Sequence, residues 1–137
     1  MCIRDSSILV KSSNTLEPLA VAKTLVKIIE KENPDLVLLG KQAIHDDSNQ
    51  TGQILSALMN WPQGCFISEL KIEDNKLLIS REIDEGIEKL ETSLPAVLTC
   101  DLRLNTPRFA SLPNIMKAKK KPLDTVSYTH LTLPTKA

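Results

Sequence analysis

Four consecutive apolar residues, Leu36, Val37, Leu38 and Leu39, stand between Pro34 and Gly40. The run is too short to be a helix of its own, and its borders break helices. It predicts a strand covered on both faces, as in a parallel sheet. A polar loop, residues 41–51, follows, and then Ile54, Leu55, Leu58 and Met59 recur at helical spacing. Any fold for this chain must accommodate that strand, loop and helix.

The unit has a chemical direction. In open α/β sheets ligands bind beyond the carboxyl ends of the strands. The free N–H groups and positive dipole end of the next helix favour an anion there. Asn49 or Thr51 is placed to cap the helix, and Gly52 would let a phosphate approach the backbone. An ordinary capped helix after an ordinary loop satisfies the same pattern.

The length of 137 residues bounds the chain to one domain at most. With 42% hydrophobic and 25% charged residues the composition is that of a globular protein, and no apolar run approaches the roughly 20 residues of a membrane span. Cys2, Cys65 and Cys100 form no CxxC pair, which argues against a disulfide framework or a zinc site and fits a reducing compartment. Cys65 and Cys100 read as small buried residues rather than nucleophiles. A formal net charge of zero conceals two poles. Residues 103–121 hold six basic and no acidic side chains, whereas residues 69–91 hold eight acidic against four basic.

In chain order, residues 7–11 read as a strand and residues 16–32 as an amphipathic helix on Leu16, Leu19, Ala20, Ala22, Val26 and Ile29, stopped by Asn33-Pro34. With the Leu36 strand they make a right-handed βαβ crossover, and a second crossover runs through the helix at residues 52–60. Beyond Trp61 the period becomes two. Phe66, Leu70 and Ile72 alternate with charged residues, Asp74-Asn75 turns the chain, and residues 77–83 and 87–94 return as further strands of a meander. Residues 96–99 are a buried strand, 101–113 an irregular loop, and 115–121 a short basic helix. Residues 1–6 and 126–137 continue none of these patterns and read as non-native ends, leaving 7–125 as the domain proper.

His45, Asp46, Asp47 and Asp35 hold too few well-spaced carboxylates for a metal site and suit a turn or a ribose hydroxyl better. The basic residues Lys117, Lys119, Lys120 and Lys121 could meet nucleic-acid phosphate, but one Trp, one Tyr and two Phe supply few stacking platforms. Docking to an acidic partner, with Leu112 as an apolar anchor among steering charges, is the third reading.

The stretches DLVLLGKQAIHDDSNQTGQ, NWPQG, REID and LPAVLTCDLRLNTPRFASLPNIMKAKKKP closely resemble the beta subunits of electron-transfer flavoproteins, in register over residues 16–122. The resemblance implies a three-layer α/β fold, a mostly parallel sheet with helices on both faces and an antiparallel meander. It implies a non-catalytic subunit with one structural AMP, paired with an alpha subunit that holds most of the FAD. The heterodimer would accept electrons from acyl-CoA dehydrogenases in fatty acid β-oxidation and pass them to a quinone oxidoreductase, in a bacterial cytoplasm or a mitochondrial matrix. Carried over by position, AMP would touch Gly40, Lys41, Gln42, Asp46, Asn49, Gln50 and Thr51. Residues 100–122 would form the partner-recognition loop, with Leu112 as anchor and Arg108, Lys117 and Lys120 around it, and Glu82 would face the partner's flavin domain. His45 stands where the family commonly has an acid. The family's opening strands find no match here, so the resemblance implies a C-terminal fragment with weak AMP affinity. A stand-alone adenine-nucleotide-binding regulatory module, its basic helix on RNA or a membrane surface, is the competing reading.

Overall fold

A computed structural model describes residues 5–45 and 47–129. Its elements are β1 (Ser7–Lys11), α1 (Pro18–Glu32), β2 (Leu36–Gly40), α2 (Thr51–Met59), β3 (Gln63–Glu73), β4 (Lys76–Ile83), β5 (Gly86–Ser93), β6 (Ala96–Cys100), α3 (Leu112–Lys119) and β7 (Leu123–Ser127). The chain divides into two compact units, one of residues 16–106 and one of residues 1–15 with 107–137. The class is mixed α/β, with both parallel and antiparallel strand pairs.

The larger unit is built on a five-stranded sheet in the order β2-β6-β3-β4-β5. The pairs β2/β6 and β6/β3 are parallel, and β3/β4 and β4/β5 antiparallel. The crossover through α2 therefore joins β2 to β3 with β6 inserted between them. The meander occupies the other half of the sheet, its bounds close to those the alternation predicts.

Helix α1 starts on Pro18 and ends at Asn33, whose left-handed backbone returns its N–H to the Ile29 carbonyl before Pro34. Both α1 and α2 pack on the Val37, Leu39 and Val97 face, through Ala22, Ile29 and Leu55 with Leu25, Val26, Ile54, Met59 and Trp61 around them. In α2 the inward positions are Leu55 and Ser56, while Leu58 is exposed. The Ser56 hydroxyl donates to the Trp61 carbonyl at 2.7 Å, closing the C-terminal turn. A polar residue facing inward is the reason apolar spacing misassigned Leu58.

The opposite face holds a second core of Ile67, Leu77, Ile79, Ala96 and Leu98. Phe66 was expected in the alternation, but Ile67 takes the core position. β3 carries one extra residue against β6 between Gly64 and Ile67, and another against β4 between Ile67 and Glu69. Each bulge turns the side chains over to the other face. Phe66 sits at φ +58 within the first bulge and donates its N–H to Thr99 Oγ1 at 3.0 Å. β6 is buried over residues 96–99 as expected, whereas β2 is an outer strand whose Leu38 is 52% exposed. Its second face is thus not fully covered, in contrast to the sequence expectation.

In the smaller unit β1 pairs with β7 in a two-stranded parallel sheet, from Ser7↔Leu123 to Lys11↔Ser127. The expected βαβ crossover from β1 into the β2 sheet is not made. β7 has no counterpart in the sequence reading, because LDTVS alternates too weakly to announce a strand. α3 begins three residues earlier than the basic run implied, with Pro113 in its first turn and no buried residue.

Candidate functional site

The carboxyl ends of β2 and β6 lie side by side, Gly40 opposite Cys100, and the Lys41 N–H extends the pairing to the Cys100 carbonyl at 3.2 Å. Beyond them a cavity of about 160 Å³ is lined by Leu39, Gly40, Lys41, Gln42, Ala43, Ser48, Asn49, Gln50, Thr51 and Gly52. Six of the seven positions expected to touch AMP, Gly40, Lys41, Gln42, Asn49, Gln50 and Thr51, therefore line one hollow. The seventh, Asp46, lies outside the described residues.

Capping of α2 differs from the expectation. The residue before the helix is Gln50, in right-handed backbone geometry and with no side-chain hydrogen bond to the first turn. Asn49 is in the left-handed region at φ 54, and its Oδ1 accepts from Gln53 Nε2 at 3.4 Å. Neither Asn49 nor Thr51 closes the helix start with its side chain. The first N–H groups of α2 have no intrahelical carbonyl to meet, and Thr51 and Gly52 of that turn line the cavity. Gln53 Oε1 is buried and without a partner among the described residues.

Gly52 also owes its place to something other than a ligand. It is buried, and a Cβ there would overlap the Thr99 γ-methyl and lie 3.5 Å from Leu39 Cδ1. Only glycine lets the first turn of α2 lie against β6.

The loop is braced by side chains. Gln42 Nε2 donates to Asp47 Oδ1. Lys41 Nζ pairs with Asp101 Oδ2 at 3.1 Å, their side chains 36% and 11% exposed. Asp101 Oδ1 accepts the Arg103 backbone N–H at 3.2 Å and Arg103 Nε at 3.4 Å, and Arg103 Nη1 reaches Glu82 Oε1 at 2.7 Å. The Arg103 backbone N–H and then the Lys41 ammonium hold the Asp101 carboxyl below its ordinary range. Arg103 is raised, mainly by Glu82. Asp101 and Arg103 were not singled out from sequence. They lie about 60 residues from Lys41, and only the β2/β6 register brings them to it.

The partner-facing candidates are bare. Leu112 opens α3 and is 72% exposed; Ile115 and Met116, on the same helical side, are also exposed, as are Arg108, Lys117 and Lys120. Glu82, near the end of β4, is held by Arg103 rather than free. The thiols of Cys65 and Cys100 are pushed up by burial, which suits packing rather than nucleophilic chemistry. A larger open groove, about 340 Å³, crosses the meander over Leu78 and Ile79. Among its charged lining residues Lys71 pairs with Glu69, two residues away along β3, at 3.4 Å. Among the described residues no three His, Cys, Asp or Glu side chains gather as metal ligands, and no helix is long and apolar enough to cross a membrane.

Comparison with known proteins bears on this arrangement. Residues 5–131 match the sequence profile of the electron transfer flavoprotein domain. The chain is 58% identical over 119 residues to the electron transfer flavoprotein subunit beta of Bradyrhizobium diazoefficiens, covering 87% of this chain and 48% of that protein. The subunit beta of Bos taurus is 58% identical over 114 residues, 83% of this chain and 45% of that protein. That of Homo sapiens is 60% identical over 111 residues, 81% of this chain and 44% of that protein. The chain thus spans about half the length of the curated relatives it matches.

Proposed function

The chain belongs to the electron transfer flavoprotein domain family, and we propose that it acts as the beta subunit of such a flavoprotein: a non-catalytic carrier subunit that holds AMP for structure and docks partners. The observation that carries this reading is the identity of 58–60% to beta subunits over more than four-fifths of the chain. The family match, residues 5–131, includes the cavity loop and α3.

AMP fits the cavity by its chemistry. The start of α2, which Gln50 does not cap with its side chain, offers N–H groups to a phosphate, and Lys41 supplies a nearby cation. The volume is below the roughly 300 Å³ at which small-molecule sites begin. The hollow suits a phosphate with part of the ribose, leaving the base outside it.

FAD, carried mainly by the alpha subunit, supplies the one- and two-electron chemistry when bound. This chain's own part is to present Glu82 and the α3 surface. The exposed Leu112, Ile115 and Met116 give an apolar contact, and Arg108, Lys117 and Lys120 steer a partner of opposite charge. The partners of this reading are acyl-CoA dehydrogenases and a quinone oxidoreductase, and its compartment is a bacterial cytoplasm or a mitochondrial matrix.

Coexpression with an alpha subunit tests the assignment. A copurifying heterodimer with flavin absorbance is expected; a chain that stays separate and colourless while both proteins are folded would overturn it. In the chain alone, added AMP should shift the backbone amides of residues 40–45 and 47–53. Shifts confined to the meander would move the site elsewhere.

A further inference from the structure

Four charged side chains of alternating sign run from the cavity wall to the end of β4: Lys41, Asp101, Arg103 and Glu82. Their middle is anchored by backbone. Asp101 donates its N–H to the Ile67 carbonyl at 2.9 Å, and the residue before it receives the Lys41 N–H, so the carboxylate stands where β2, β6 and β3 meet. Its two oxygens are divided, one to Lys41 and the other to Arg103.

Among the described residues that line the cavity Lys41 alone is charged, and its ammonium is turned to Asp101. An anion at the start of α2 offers that ammonium a second partner. The two claims cannot both be met in full, because the Lys41 charge is shared between them.

We infer that Asp101 is a positioning residue that sets how far Lys41 serves the cavity, and that Arg103 passes this setting to Glu82. With an anion in place Lys41 leaves Asp101 in part, Asp101 takes a larger share of Arg103, and the Arg103–Glu82 bond loosens. Occupancy of the cavity and the orientation of Glu82 are then linked in both directions. The inference rests on the reading of the cavity as an anion site.

Charge distinguishes this role from a structural one. The four groups sum to zero, so Asp101→Asn leaves one positive charge beside the cavity and releases Lys41. A positioning role predicts tighter AMP binding, by roughly two- to fivefold, with a steeper loss of affinity in salt. A purely structural role predicts weaker binding. AMP is titrated into the 137-residue chain and into Asp101→Asn, with amide spectra to show that both are folded. Unchanged or weaker affinity in a folded variant would overturn the inference.

A second arm needs no ligand. Following the Asp101 carboxyl carbon by NMR, Lys41→Gln should raise its titration midpoint. Glu82→Gln should lower it by releasing Arg103, although Glu82 does not touch Asp101. The Glu82→Gln effect should vanish in an Arg103→Gln background. A midpoint indifferent to Glu82→Gln refutes the link to Glu82. If that midpoint moves as stated but AMP causes no shifts in the wild-type chain, the anion-site reading falls while the positioning of Lys41 by Asp101 stands.

Discussion

The cavity loop and α3 handle their polar and apolar groups in opposite ways. Within residues 40–52 three polar side chains have internal partners, Lys41 with Asp101, Gln42 with Asp47 and Asn49 with Gln53, and Gly52 lies on Thr99, although Ile44 is fully exposed. In α3 no residue is buried, and Leu112, Ile115 and Met116 face outward. A hollow that binds a small ligand has to be built before the ligand arrives, so its wall is braced by the protein itself. A surface that meets another protein leaves its apolar groups to be covered by that partner. The difference teaches that mutations in the first region should register in folding and those in the second only in function.

The sharpest test of the braced side is Gly52→Val. Its side chain collides with Thr99, and overpacking of this kind costs about 1–3 kcal/mol in denaturant unfolding. Thr99→Ser removes the obstructing methyl and should recover part of the loss. No recovery would mean that Gly52 is required for another reason.

A smaller effect is expected in acid. Asp101 is held below its ordinary value of 3.8, first by the Arg103 N–H. Glu69 is held below 4.5, first by the Ser80 hydroxyl. Both are favoured as carboxylates in the folded state. Their contribution is therefore complete above those ordinary values and is lost as pH falls through the depressed ones. The contribution of these two carboxylates should be flat above about pH 5 and decline below it. Asp101→Asn should make that decline shallower, and an unaltered slope would show that the Lys41 and Arg103 contacts do not persist in solution.

The smallest change in folding should come from Leu112→Ala, within about 0.5 kcal/mol of wild type. On the proposed beta-subunit reading, the same substitution in an assembled flavoprotein should slow electron transfer from an acyl-CoA dehydrogenase without altering flavin content. A clear loss of stability would break the contrast, because it would show Leu112 to be packed rather than waiting for a partner.

What could be read from residues alone follows the same division. The β2, loop and α2 unit was legible because its signals are local: an apolar run, a polar stretch, a helical period. The meander was legible from its period of two and its turn at Asp74-Asn75. Ile67 was not, because a bulge is a relation between strands and leaves no mark in one of them. Ser56 in the α2 interior was hidden for the related reason that its inward hydroxyl depends on where Trp61 ends up. Asp101 and Arg103 came to the site through strand register, and β7 through pairing with β1, both long-range facts.

Gly64 carries a consequence of its own. A Cβ there would stand 2.8 Å from Leu98 Cδ2 and 2.9 Å from Ile79 Cδ1, so side chains from β6 and β4 meet directly above it. Ala96 and Leu98, both fully buried, pack there with Ile67, Leu77 and Ile79, on the side away from α1 and α2. This unit closes its second core with side chains of its own strands, and the bare Cα of Gly64 leaves them the room to meet.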